Sequence, residues 1–153
     1  MFPKCCCSPG LTDRFRIGYP QGNALSRLCR YRGLLHTGRI QHLSELEGWS
    51  TPRDRPSDAL NAWRHSWPTL VALDQADLVG FFRALTDGSV TTYVAEILVA
   101  QAWRGQGLGQ AFLDLCHRLY PETRLDLLST EGAHGFYQTH GFRAFQGFRK
   151  SYP

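Results

Sequence analysis

Val94-Ala95-Glu96-Ile97-Leu98-Val99, followed five residues later by Arg104-Gly105-Gln106-Gly107-Leu108-Gly109, is the stretch on which the fold turns. The first part ends a strand-like run from Val90, and the second opens a helix-like segment ending at Leu119. Glycines at 105, 107 and 109 remove the Cβ atoms that would hold a ligand away from the backbone. A helix start leaves several N–H groups without internal partners, and its dipole favours negative charge there. The segment therefore reads as a cradle for a phosphate or pyrophosphate.

Two common phosphate loops do not fit. A P-loop needs lysine and then Ser/Thr after its last glycine, but Gln110 and Ala111 follow Gly109. A dinucleotide fingerprint started at Gly105 needs glycine where Gln110 stands; started at Gly107, it needs glycine where Phe112 stands. What remains is Arg-x-x-Gly-x-Gly at 104, 107 and 109. Downstream, after the apolar run Leu125–Leu128, comes Ala133-His134-Gly135-Phe136-Tyr137-Gln138-Thr139-His140-Gly141-Phe142. The two segments, in this order with a strand between them, resemble the acetyl-CoA loop and the Ala-x-x-x-Tyr-x-x-x-Gly-Phe segment of the GNAT superfamily of N-acyltransferases. The resemblance covers residues 68–148 well and residues 33–67 only by helix count.

The elements read along the chain agree with that family. A strand is expected at 31–35, a helix at 41–47 and another from Pro56 to His65, with proline at its first turn. Strands follow at Thr69–Leu73 and Leu78–Leu85 around the turn Asp74-Gln75-Ala76-Asp77. Asp87-Gly88 suggests a two-residue type I′ hairpin into Val90–Val99. Apolar residues at 108, 111, 112, 115, 116 and 119 form one helical stripe, which Pro121 stops. A strand at 124–128, a helix at 131–139 and a last strand at 142–149 complete an α+β fold. Its mixed, mostly antiparallel sheet carries helices on both faces, as in the GNAT fold. The family usually closes with one further strand, so an edge here is either left single or completed by a second subunit of a homodimer.

The resemblance implies acetyl-CoA as co-substrate and transfer of its acetyl group to a primary amine by direct attack in a ternary complex. The pyrophosphate is then expected on the main chain of Arg104, Gly105, Gln106, Gly107, Leu108, Gly109 and Gln110. The pantetheine arm is expected to pair like an added strand with Leu98 and Val99, in a gap between that strand and 124–128. Tyr137 matches the family's motif tyrosine, whose hydroxyl would meet the thioester sulfur and protonate the leaving thiolate. Thr130 stands where the family often has asparagine, and it offers fewer hydrogen bonds to the cofactor. Gly141 reads as the left-handed residue ending that helix.

Glu96 is the candidate general base, the only charge in its strand. A lone buried carboxylate is costly, so it either faces the substrate cleft or pairs with a cation such as Arg83. Asp126 is a weaker candidate because Arg124 shares its face. His134 and His140 read as solvated helix residues. Trp49, Trp63, Trp67 and the turn Arg53-Asp54-Arg55 fall in the region that selects the acceptor in this family; the tryptophans read either as a wall for an amine or as core anchors. A non-catalytic acyl-CoA-binding module is the alternative, but such a module needs neither Tyr137 nor Glu96.

Charge and cysteine usage set the remaining expectations. Of 153 residues with formal charge +4, residues 1–32 carry six basic side chains against Asp13 alone, and the rest is nearly neutral. A nucleic-acid surface is therefore not expected. Cys5, Cys6, Cys7 and Cys29 lack the paired spacing of a zinc site, so no metal is expected. Residues 1–28 read as a flexible extension and 29–153 as the acetyltransferase domain. With no signal-like or membrane-length apolar run, a cytoplasmic location is the default expectation.

Overall fold

A computed structural model of the chain describes residues 15–16 and 27–150. The elements, in order, are β1 (Phe15–Arg16), β2 (Arg27–Arg30), α1 (Gly33–Leu46), α2 (Thr51–Asp54), α3 (Pro56–Arg64), β3 (Thr69–Asp74) and β4 (Asp77–Thr86). Then come β5 (Thr91–Val99), a 3-10 turn (Gln101–Trp103), α4 (Leu108–Leu119), β6 (Arg124–Leu127), a second 3-10 turn (Glu131–Ala133) and α5 (His134–Thr139). The six strands lie side by side in chain order. All neighbours are antiparallel except β5 and β6, which run parallel because α4 carries the chain back between them.

Both faces of the central strands are covered, which is why β3 and β4 read as nearly continuous apolar runs. Leu70, Ala72, Phe82 and Ala84 face α4 and α5, packing with Phe112, Leu113, Leu115 and Tyr137. Val71 and Phe81 alternate to the other face and pack with Ile40 and Leu43 of α1 and Trp63 of α3. The rings of Phe82 and Phe112, both fully buried, stack at 5.9 Å. Each contributes about 1.5–3 kcal/mol of burial.

One irregularity decides which face the chemistry sits on. The β4–β5 register pairs Arg83 with Glu96 but Ala84 with Val94, so Ala95 is an extra residue in the ladder. Alternation reverses there. Val94 packs toward α4, while Leu98, also at an even position, packs toward α1 and α3. Glu96 shares the Leu98 face, and its carboxylate meets the Arg83 guanidinium at 2.9 Å.

The structure departs from the sequence reading in several places. The strand expected at 31–35 is instead Arg27–Arg30, paired with β3, and α1 starts at Gly33 rather than near 41. Tyr31 is side-on to Trp63 at 4.9 Å, and His36 Nδ1 accepts the Arg32 N–H at 3.0 Å, which favours helix over strand here. The domain boundary expected at residue 29 falls inside β2, whose Leu28 is fully buried, and Phe15–Arg16 adds an outer strand. Residues 1–14 and 17–26, which carry Cys5, Cys6 and Cys7, lie outside the described residues. The last strand expected at 142–149 is absent from the described residues. Phe142, Phe145 and Phe148 recur every third residue, a spacing that cannot put all three on one face of a strand.

The Asp87-Gly88 turn is a longer loop than a type I′ hairpin, because Asp87 does not take the positive φ that such a turn requires. Its carboxylate instead accepts the N–H groups of Ser89, Val90 and Thr91 at 2.8, 2.8 and 3.0 Å. Those bonds, from Val90, Ser89 and Thr91 in order of weight, hold the carboxyl below its ordinary 3.8. A lowered folded-state pKa stabilises above the unfolded value and is lost as pH falls through the folded one. Asp87→Asn is therefore expected to melt below the parent at about pH 6, with the difference closing toward about pH 2. Melting curves across that range check this, and a difference independent of pH would contradict it.

Candidate active site

Just beyond β5 the 3-10 turn leads into the glycine loop. Gly105 and Gly107 have φ of 74° and 81°, a region closed to most side chains, and Gly107 caps α4 in that conformation. The first helical amide with a backbone acceptor in the preceding turn is Ala111, bonded to Gly107 O at 2.9 Å. The amides of Leu108, Gly109 and Gln110 before it have no acceptor within the helix. No acidic residue lies in the first turn of α4 to oppose an anion. Residues 104–107 are exposed.

The loop's polar side chains are held by bonds to backbone and to other side chains. Gln106 Nε2 donates to Ala102 O at 3.0 Å and Gln110 Nε2 to Asp114 Oδ1 at 2.5 Å. Gln110 Oε1 is buried without a partner. Arg104 donates from Nε to Val99 O at 3.1 Å and from Nη2 to Glu47 Oε2. A Cβ on Gly109 would lie 3.1 Å from the ring of Phe136, so α4 and α5 meet closely there.

The gap expected beside β5 is present in the register. β6 pairs only from Thr91↔Arg124 to Val94↔Leu127, whereas β5 runs on to Val99. The two residues expected to hold the pantetheine arm divide here. Ala100 N donates to Val79 O at 2.9 Å, which sets the phase of the antiparallel ladder. Leu98 thereby exchanges its main-chain bonds with Phe81, and its carbonyl lies 2.9 Å from where a Gly80 Cβ would be. Val99 and Ile97, opposite Gly80 and Phe82, turn their main chain toward the gap. Leu98 is therefore committed to the sheet. Ile97, which is not among the residues expected from sequence, shares with Val99 a main chain that faces the gap.

Tyr137 is 8% exposed, in edge-to-face contact with Phe136 and Phe142 at centroid distances of 5.1 and 5.4 Å. Burial raises its pKa above the ordinary 10.0, so the phenol stays protonated at neutral pH. It lines a cleft of about 760 Å³ bounded by α4, β6, α5 and residues 142–145, and Gln110 lines the same cleft. Gly141, at φ 81°, ends α5 as expected. Thr130 is exposed and starts the second 3-10 turn through its carbonyl, which accepts Ala133 N at 3.0 Å.

Tyr137 and Glu96 lie on opposite faces of the sheet. Glu96 Oε1 is held by Arg83, which also donates to Ser66 Oγ at 3.0 Å, while Oε2 meets no hydrogen-bond donor among the described residues. The ion-pair reading of Glu96 thus holds for one oxygen. Arg124 and Asp126 pair at 3.1 Å, as their shared face suggested. Of the tryptophans, Trp63 is core, Trp67 lies under the Arg30 guanidinium at 4.2 Å, and Trp49 stays 37% exposed at the α1–α2 connection. Among the described residues no cluster of His, Cys, Asp or Glu could hold a metal ion, and no helix is long and apolar enough to cross a membrane.

A strand splayed from its parallel neighbour, with a glycine-capped helix at its end, defines the acyl-CoA N-acyltransferase architecture. The family model describing an acetyltransferase (GNAT) domain matches residues 65–144. The chain belongs to the GNAT acetyltransferase family. Among solved structures it is similar to a GNAT-family acetyltransferase from Streptococcus pneumoniae, with 23% identity over 83% of this chain and 96% of that one, at TM-score 0.68. A GNAT-family protein described as a putative acetyltransferase from Xanthomonas campestris shares 23% identity, covering 89% and 96% of the two chains, at TM-score 0.67. An aminoglycoside N-acetyltransferase solved in complex with CoA shares 15% identity, covering 88% and 97%, at TM-score 0.64. No curated protein matches the chain.

Proposed function

We propose that this protein is an acetyl-CoA-dependent N-acetyltransferase that acetylates a primary amine, on a small molecule or a peptide, by direct attack in a ternary complex. The observation that carries this reading is the loop at 104–110, where two left-handed glycines and the open amides of α4 form an anion cradle at the mouth of the β5–β6 gap. The neighbour solved with CoA supports the choice of ligand.

Acetyl-CoA, when bound, supplies an activated acyl group as a thioester. The amides of residues 105–110 hold its pyrophosphate, and the main chain of Ile97 and Val99 aligns the pantetheine arm along the open edge of β5. An N–H on this edge faces the thioester oxygen and stabilises negative charge there during attack. Glu96 Oε2 takes the proton from the attacking amine as the N–C bond forms, with Arg83 holding the carboxylate in orientation through Oε1. Tyr137 gives its proton to the sulfur as the C–S bond breaks, and raised by burial it remains a competent acid through neutral pH. No cysteine lies at either motif, in keeping with direct transfer.

Trp49 and Glu96 on the α1–α3 face suit a cationic amine. We assign a cytoplasmic location, in keeping with the buried thiol of Cys116. A homodimer is proposed on the outer edge of β6, unpaired among the described residues, and the exposed Phe145 and Phe148, with light scattering as its check.

Calorimetric and thermal-shift titration with acetyl-CoA tests the reading. Ligand at about 100 times its dissociation constant is expected to add about 2.7 kcal/mol to stability. A protein unmoved by acetyl-CoA would overturn the proposal. Glu96→Gln should retain that shift while lowering turnover roughly 10- to 100-fold, as the loss of a general base does. Unchanged turnover with chemistry rate-limiting would remove Glu96 from the role.

A further inference from the structure

Glu47 reaches the glycine loop from 57 positions away in sequence. It follows α1, a helix with no basic residue in its last turn, so its charge opposes the helix dipole unless a partner outside the helix offsets it. The partners are at the acyl-CoA loop. Oε1 accepts the N–H of Gln101, the first residue of the 3-10 turn, at 3.2 Å, and Oε2 accepts Arg104 Nη2. The same guanidinium donates from Nε to Val99 O at 3.1 Å. The Glu47 side chain is 18% exposed, whereas that of Arg104 is 54% exposed.

We infer that Glu47 is a positioning residue for acyl-CoA binding, acting through Arg104 and the 3-10 turn; this rests on the assignment of 104–110 as the pyrophosphate loop. Glu47 itself is held firmly. Its N–H reaches Leu43 O and Ser44 O at 3.2 Å each, Trp49 N returns to Ser44 O at 2.8 Å, and the Trp49 ring sits edge-on to Phe81 at 5.9 Å. From this fixed end of α1 the carboxylate caps the turn that leads out of β5 and fixes one arm of the Arg104 fork. The other arm then holds the Val99 peptide, the one whose main chain faces the gap. A planar fork is needed for both bonds at once, which a lysine cannot supply. Without Glu47, Arg104 would keep its charge but lose its orientation, and the strand-to-loop junction would have an uncapped amide. The α1–α2 connection that carries Trp49 is thereby tied to the acyl-CoA loop.

The test is a double-mutant cycle on acetyl-CoA affinity by calorimetry, with wild type, Glu47→Gln, Arg104→Met and the double variant, and with Gly107→Asp as the marker of the loop. Glutamine retains an oxygen for Gln101 N–H and loses the ion pair. Each single variant is expected to weaken binding about three- to tenfold, and the double variant no further than the weaker-binding single one, because the two residues act as one unit. Arg104→Lys should behave like Arg104→Met, a readout that a simple charge requirement would not give. Glu47→Gln with wild-type affinity, even if less heat-stable, would make Glu47 a structural staple and overturn the inference alone. Strictly additive losses would do the same. Wild type that binds no acetyl-CoA, or Gly107→Asp that binds as wild type does, would instead remove the loop assignment on which the inference stands.

Discussion

Gly107→Asp is expected to weaken acetyl-CoA binding by roughly 100-fold, equivalent to about 2.7 kcal/mol, and to remove most of the ligand-induced thermal shift seen in the parent at about 100 times its dissociation constant. Gly107 caps α4 in the left-handed conformation. Aspartate tolerates that conformation better than most residues and is itself a favoured helix cap, so the variant should fold with only a modest loss of stability. Its carboxylate would stand at the positive end of α4, where the pyrophosphate is proposed to lie. Gly107→Asn is the matching control, with the same shape and no charge, and should fall well short of the aspartate loss. Equal losses in the two variants would point to a steric or folding effect rather than to an anion site.

Tyr137→Phe is expected to lower turnover by roughly 10- to 1000-fold while leaving acetyl-CoA affinity nearly unchanged, as the loss of a general acid does. The substitution keeps the ring between Phe136 and Phe142 and removes only the hydroxyl. Because burial raises the pKa of Tyr137, its deprotonation should not shape the pH–rate profile below about pH 10. The same shift gives its sign for stability: the folded pKa lies above the unfolded value, so the contribution is full below about pH 10 and lost as pH rises through the folded pKa. Full turnover in the phenylalanine variant, with chemistry rate-limiting, would exclude the tyrosine as the acid.

How much of this was legible in the chain depends on how local each signal is. Helix α4 appears at the residues read from sequence, 108–119, because its apolar stripe, glycine start and following Pro121 act within a few residues of one another. The register of β3 with β4 follows from a short turn, and the glycine loop from its own composition. β2 was misplaced because Arg27-Leu28-Cys29-Arg30 has little pattern of its own and is a strand only by pairing with β3, about forty positions on. The first half of α1 contains Gly33 and Gly38, poor helix formers, and the helix is anchored to the sheet by Ile40 and Leu43 of its second half, packed with Val71 and Phe81.

The proposed site shows the same division. The glycine loop at the start of α4 and the buried place of Tyr137 on α5 follow local signals, but the face occupied by Glu96 depends on the bulge at Ala95, which no alternation pattern announces. Leu98 and Val99 could not be separated in advance, since which main chain faces the gap is set by ladder phase. Glu47 lies 57 positions from Arg104, and its only local trace is an acidic residue where the helix dipole disfavours one.

The central claim is amine acetylation from acetyl-CoA at this site. Its most direct test is thiol release from acetyl-CoA across a panel of primary amines and lysine peptides, with each amine weighed by mass spectrometry. The account predicts release that depends on one class of amine, with one acetyl group added per thiol freed, and its collapse in both Gly107→Asp and Tyr137→Phe. Tight acetyl-CoA binding at the loop with the thioester left intact in the presence of every amine would contradict it.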